Sequence, residues 1–147
     1  MRRGWVPVLA VAVILAGCAA MEPSKQSPTL YQRLGGREGI ALVVGDFVAN
    51  VAADTRVNAR FKDLKPADVE KLKSHIADQV CQAAGGPCAY LGRDMKTSHA
   101  GMKITEAEWS ATVEDLVKAL DKHKVPDKEK QELLGLLGPM KPDIVGQ

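Results

Sequence analysis

Behind the glycine pair Gly85-Gly86, the run Pro87-Cys88-Ala89-Tyr90-Leu91-Gly92-Arg93-Asp94 leads into Met95-Lys96-Thr97-Ser98-His99. The glycines end one helix, a polar linker follows, and Met95 and His99, four apart on the next helical turn, project from the same side. An imidazole beside a soft, apolar thioether suits one face of an iron porphyrin. A single histidine on a short helix is, by itself, more often a surface or core residue. The weight therefore falls on the elements that position it.

Cys81 and Cys88 flank the same corner. Their spacing leaves a disulfide open and favours two free thiols, because separation along the chain does not bring side chains together. A Cys-His metal site is disfavoured, since no second pair stands at zinc spacing.

With 147 residues, 46% of them apolar, the chain is long enough for one domain with a real core and too short for two. Aromatic residues are few, Ala, Leu, Val and Lys are many, and no stretch alternates apolar and polar over a strand's length, so an all-α fold is expected. The formal net charge is only +2. That balance leaves no basic footprint for nucleic acid.

Residues 1–17 read as an address. Arg2 and Arg3 precede an apolar run from Trp5 to Ala16 that closes in Leu15-Ala16-Gly17-Cys18. The run is short for a membrane span, and small residues ahead of a cysteine resemble a bacterial lipoprotein signal, with Cys18 as the acylated mature N-terminus. Residues 18–28 then form the lipidated end and a small, polar, proline-bearing tether, and 29–147 form the folded domain. This puts the protein in the bacterial cell envelope, lipid-anchored and facing the periplasm. The residue after Cys18 is Ala19 rather than Asp, which by resemblance to the sorting rule of enteric bacteria leans towards the outer membrane.

Within the domain, Thr29 to Leu34 makes a short helical turn stopped by Gly35-Gly36. From Arg37 to about Ala53, Ile40, Val43, Val44, Phe47, Val48 and Val51 recur at threes and fours. Phe61 lies in the connector that follows and is expected to plug the core. Pro66 starts a helix that runs to about Ala84, with Val69, Leu72, Ile76 and Val80 inward and His75 at the margin of the stripe. Thr105 and Glu108 form a capping box for a helix with Trp109, Val113, Leu116, Val117 and Leu120 on its inner face. Val125-Pro126-Asp127 turns into a last helix, Asp127 to about Leu137, blunted by Gly138-Pro139. His123, near the end of the preceding helix, is assigned no chemistry.

Leu34-Gly35-Gly36, Phe47, Gly85-Gly86-Pro87, Tyr90-x-Gly92-Arg93-x-Met95-Lys96-x-x-His99 and Ile104-Thr105 occur in an order and spacing that resembles the truncated haemoglobins, specifically their first group. The likeness covers about Leu30 to Ile144. It implies a two-over-two helical sandwich around haem b (iron protoporphyrin IX), with His99 as the proximal iron ligand. Arg93 and Lys96 match positions that face the haem propionates, or else are solvated charges on a loop. Met95, Phe47, Val48, Phe61, Leu72, Ile76, Tyr90, Trp109 and Val113 are the other expected cofactor contacts.

On the distal side the sequence departs from the family. Many members carry Phe-Tyr in the second helix, the tyrosine hydroxyl donating to the ligand, where this chain has Phe47-Val48. A glutamine common on the next helix aligns with Leu72 and Ile76, both apolar. His75 resembles a histidine of the cyanobacterial members that binds the iron itself. It is expected either as a reversible sixth ligand or hydrogen-bond donor, or turned to the propionates and solvent.

The resemblance implies a globin that reversibly binds dioxygen, and nitric oxide or carbon monoxide, at the iron. It extends to nitric oxide dioxygenation if an external reductase, not encoded here, restores the ferrous state. A six-coordinate electron-transfer or redox-sensing haem protein is the alternative. A haem-free helical lipoprotein acting as a binding module is the third.

Overall fold

The computed structural model describes residues 27–147. The signal and most of the tether, with Cys18, lie outside the described residues. Among the described residues six α-helices follow one another: α1 (Leu30–Arg33), α2 (Gly36–Ala53), α3 (Pro66–Ala83), α4 (Met95–His99), α5 (Glu106–Lys122) and α6 (Asp127–Leu137). Short 3-10 turns lie at Asn58–Arg60 and Gly138–Asp143. The pair α2 and α3 lies over α5 and α6, with α2 against α5 and α3 against α6. This is the two-over-two sandwich.

The helix starts follow from local chemistry. Thr29 and Gln32 cap α1 reciprocally, and Thr105 and Glu108 do the same for α5. Pro66 occupies the first turn of α3, where its missing N–H costs nothing. Asp94 caps α4: its carboxylate accepts the Thr97 N–H at 2.8 Å, and that bond holds the carboxyl below the usual range.

The core is centred on α2, whose Ile40, Val43, Val44, Val48 and Val51 are buried. Each such side chain contributes roughly 1.5–3 kcal/mol relative to exposure, so this helix is the natural spine. Leu120, Leu133, Val80 and Leu34 close around it. Helix α5 differs from expectation. Its fully buried residues are Ala111, Asp115, Ala119 and Leu120, whereas Trp109, Val113 and Leu116 are half-buried and line a cavity. Small residues let α5 approach α2 closely, and the large apolar ones turn to a second face. On the α2-facing side, one Asp115 carboxylate oxygen is paired with Lys118, 2.8 Å away. Asn50 Nδ2 donates to the Asp115 carbonyl at 3.0 Å, joining α2 to α5. His123 Nε2 stands 2.7 Å from Asp46 Oδ2, a second link between these helices. Lys122 and His123 together hold the Asp46 carboxyl below its ordinary value.

At the corner after α3, Cys81 and Cys88 are joined in a disulfide with their Cα atoms 5.8 Å apart. The free thiols favoured by spacing are corrected here. Gly85 adopts a left-handed conformation (φ +78°) that folds the chain back, and a Cβ on Gly86 would come within 2.6 Å of the Cys81 sulfur. Tyr31 N–H donates to the Ala84 carbonyl at 2.9 Å, fastening α1 to the same corner.

Candidate functional site

A cavity of about 1100 Å³ opens between α2, α3, α4, α5 and the turn after α6. It exceeds the ordinary range for small-molecule pockets, roughly 300–1,000 Å³, and so has room for a large flat ligand. Its walls explain why several expected core residues are only half-buried. Leu72 and Ile76 from α3, and Trp109 and Val113 from α5, line this space and are therefore only half-buried. Phe47 and Val48 from α2 and Phe61 from the connector complete the apolar lining.

Polar side chains line it too, His99, His75 and Gln79 among them. His99, on the last turn of α4, has Nδ1 2.7 Å from the Met95 carbonyl oxygen, one helical turn back. A carbonyl oxygen can only accept, so Nδ1 carries a proton in this contact, and in the neutral ring that leaves Nε2 as the lone-pair atom. A neutral imidazole with its tautomer fixed by a backbone carbonyl is the form in which histidine ligates a metal. His75, from α3, also lines the cavity and packs edge-on against Tyr90. Gln79, one turn further along α3, directs Nε2 towards the sulfurs of Met95 and Met140, each 3.4 Å away.

The cavity mouth is marked by residues that both line it and are exposed: Arg60, Leu64, Asp68, Lys71, Leu91 and Arg93. Arg60 is committed to Glu108 and to the Met102 carbonyl. The Thr105 N–H and Arg60 together hold the Glu108 carboxyl below its ordinary value. Among the described residues Lys71 and Arg93 make no ion pair, which suits them to the carboxylates of a ligand seated in the mouth. Lys96 is exposed on α4 and does not line the cavity. Sequence reasoning missed Gln79, Lys71 and Met140. Gln79 stands four after His75 and shares its helix face, a signal that was available; the turn carrying Met140 has none.

An apolar slot with a tautomer-fixed histidine in one wall and cations at its mouth fits an amphiphilic metallated macrocycle. The model of the bacterial-like globin family matches residues 29–145. The chain belongs to the bacterial-like globins. It is 32% identical to a group 1 truncated hemoglobin of Mycolicibacterium paratuberculosis, over 89% of this chain and 91% of that one. The Fe(III) structure of truncated hemoglobin from Tetrahymena pyriformis superposes with a TM-score of 0.76 at 28% identity, covering 82% of this chain and 100% of the other. The 2/2 hemoglobin of Synechococcus sp. PCC 7002, in its cyanomet state with covalently attached heme, gives 0.72 at 30% identity, covering 80% and 98%. This globin is thus a haem protein, haem b is its cofactor, and the haem-free reading is set aside.

Proposed function

We propose that this globin binds dioxygen, with nitric oxide and carbon monoxide as further ligands, using His99 as the proximal ligand and His75 as the distal one. The observation that carries the reading is the 2.7 Å hydrogen bond from His99 Nδ1 to the Met95 carbonyl, which leaves Nε2 as the donor atom. Haem b, when bound, would supply an iron able to bind a diatomic ligand, with His99 placed to hold it and His75 placed to compete with that ligand. Around it, Phe47, Phe61, Leu72, Ile76, Tyr90, Trp109, Val113 and Met95 exclude water, and Arg93 and Lys71 meet the propionates at the mouth. Lys96, exposed and off the cavity wall, is not part of this contact. Nitric oxide dioxygenation, in which dioxygen and nitric oxide give nitrate and ferric haem, requires an electron from an external reductase to restore the ferrous form.

The second reading, a six-coordinate electron-transfer or redox-sensing protein, is favoured by one feature. Val48, Leu72 and Ile76 offer no hydrogen bond on the distal wall, which leaves His75 as its polar group on α3 beside Gln79. Ferric absorption spectra of the parent and His75→Ala test this point. A low-spin parent that becomes high-spin in the variant is expected; a high-spin parent with an unchanged variant removes His75 as a ligand.

The same proposal includes residues 1–17 as a lipoprotein signal and Cys18 as an acylated anchor to the envelope, with 18–28 as tether and the outer membrane as destination. Several acyl chains on one cysteine hold stably where one holds marginally. Among the described residues no helix is long and apolar enough to cross a membrane. Cys18→Ser is expected to move the protein from the membrane to the soluble fraction and to abolish labelling by radioactive palmitate. Labelling that survives the substitution overturns the anchor.

A further inference from the structure

The loop between α3 and α4 fixes one aromatic side chain at several points. The Tyr90 backbone N–H donates to Gln82 Oε1 at 2.7 Å, and the Tyr90 hydroxyl donates to the Arg93 carbonyl at 2.7 Å. Gly92 passes so close that a Cβ there would overlap the phenol oxygen, so the loop is shaped around this ring. Two residues upstream, Cys88 is covalently joined to Cys81 near the end of α3. The ring is therefore anchored through its backbone, its hydroxyl and the chain that precedes it.

Against this fixed ring stands His75. Its imidazole meets Tyr90 edge to face, with centroids 6.1 Å apart and planes at 84°. Both side chains line the cavity, and His75 is half-buried at the margin of α3. A histidine at such a margin has rotamers that lead outward to solvent as well as inward. An aromatic neighbour in the favoured T-shaped geometry biases that choice.

We propose that Tyr90 is a positioning residue for His75, holding its imidazole in the cavity and so setting how often it is available to the iron. The inference rests on the distal role given to His75 above. Holding a flexible ligand near its bound conformation raises the population competent to bind by the same factor as it raises apparent affinity. An edge-to-face pair is worth about a three- to tenfold bias. External ligands that compete with His75 should feel that factor in the opposite sense.

The test uses the full-length, haem-loaded protein in mild detergent, with two readouts: the low-spin to high-spin ratio of the ferric spectrum and the rate of carbon monoxide binding to the ferrous form. Tyr90→Ala is expected to lower the ratio about three- to tenfold and to speed carbon monoxide binding. Tyr90→Leu, which fills more of the space without an aromatic face, should do the same and serves if the alanine variant loses haem. Tyr90→Phe keeps the ring but loses the hydroxyl bond to the Arg93 carbonyl, and should fall between the parent and Tyr90→Leu. In a His75→Ala background, Tyr90→Leu should change neither readout further. If His75→Ala converts the spectrum while the alanine and leucine variants at Tyr90 match the parent, the positioning role is wrong and the distal role of His75 stands. A parent that is already high-spin and indifferent to His75→Ala overturns both together.

Discussion

Replacing His99 with glycine should leave this globin folded but unable to keep its haem. Loss of outer-shell partners alone costs about 10- to 100-fold in metal affinity, and removing the proposed proximal ligand should cost more. His99 sits on a helix of five residues, capped at its start by Asp94 and followed by a turn in which Met102 N–H donates to the His99 carbonyl. Its side chain is half-buried and faces the cavity, so truncation opens space next to a void already present and leaves the α2-centred core intact. Thermal unfolding of the haem-free form should therefore change little, while the Soret band of the purified variant should be lost. Free imidazole added during reconstitution should restore the band, because it can occupy the vacated position and supply the missing nitrogen. A variant that retains haem at the parent ratio without imidazole would mean that another side chain carries the iron.

The legible parts of this molecule are those written in local pattern. The four-residue step from Met95 to His99 put both side chains on one side of the turn, and both line the cavity. Thr105 with Glu108, and Pro66, marked helix starts because their chemistry is confined to one turn. Periodicity served less well where a helix has two buried faces. On α5 the large residues drew the eye, but Ala111 and Ala119 make the close contact with α2, and a stripe of alanines carries little weight in a hydrophobic pattern. On α3, periodicity alone marks Leu72 and Ile76 only as inward; the family resemblance implies cofactor contacts there, and both do line the cavity. The Cys81–Cys88 bond depends on a left-handed Gly85 and a close approach at Gly86, which spacing along the chain does not encode. Lys71 entered the mouth, and Lys96 stayed outside, for a similar reason: which side of a helix meets the rim is set by packing between helices.

The apolar distal wall makes the second large prediction. Val48 is buried and Leu72 and Ile76 are half-buried, and all three line the cavity, so the positions where relatives supply a donor are present but carry hydrocarbon. Ile76→Gln should slow dioxygen dissociation by about 10- to 100-fold, the effect of adding a hydrogen bond of roughly 1.5–3 kcal/mol to a polarised ligand in a site shielded from water. Carbon monoxide, which develops far less negative charge when it binds, should dissociate at nearly the parent rate. The substitution is close to volume-conserving and opens onto existing space, so overpacking should be small. The amide must, however, find its partner in the ligand rather than in the protein. Gln79, one residue short of a helical turn further along α3, already spends its Nε2 on two thioether sulfurs, and its Oε1 could capture the new amide. Stopped-flow oxygen release from Ile76→Gln, alone and combined with Gln79→Leu, decides between these fates. A rate that falls only in the double variant assigns the capture to Gln79. A rate that falls in neither shows that the ligand stands too far from this face of α3 for any side chain at position 76 to reach it.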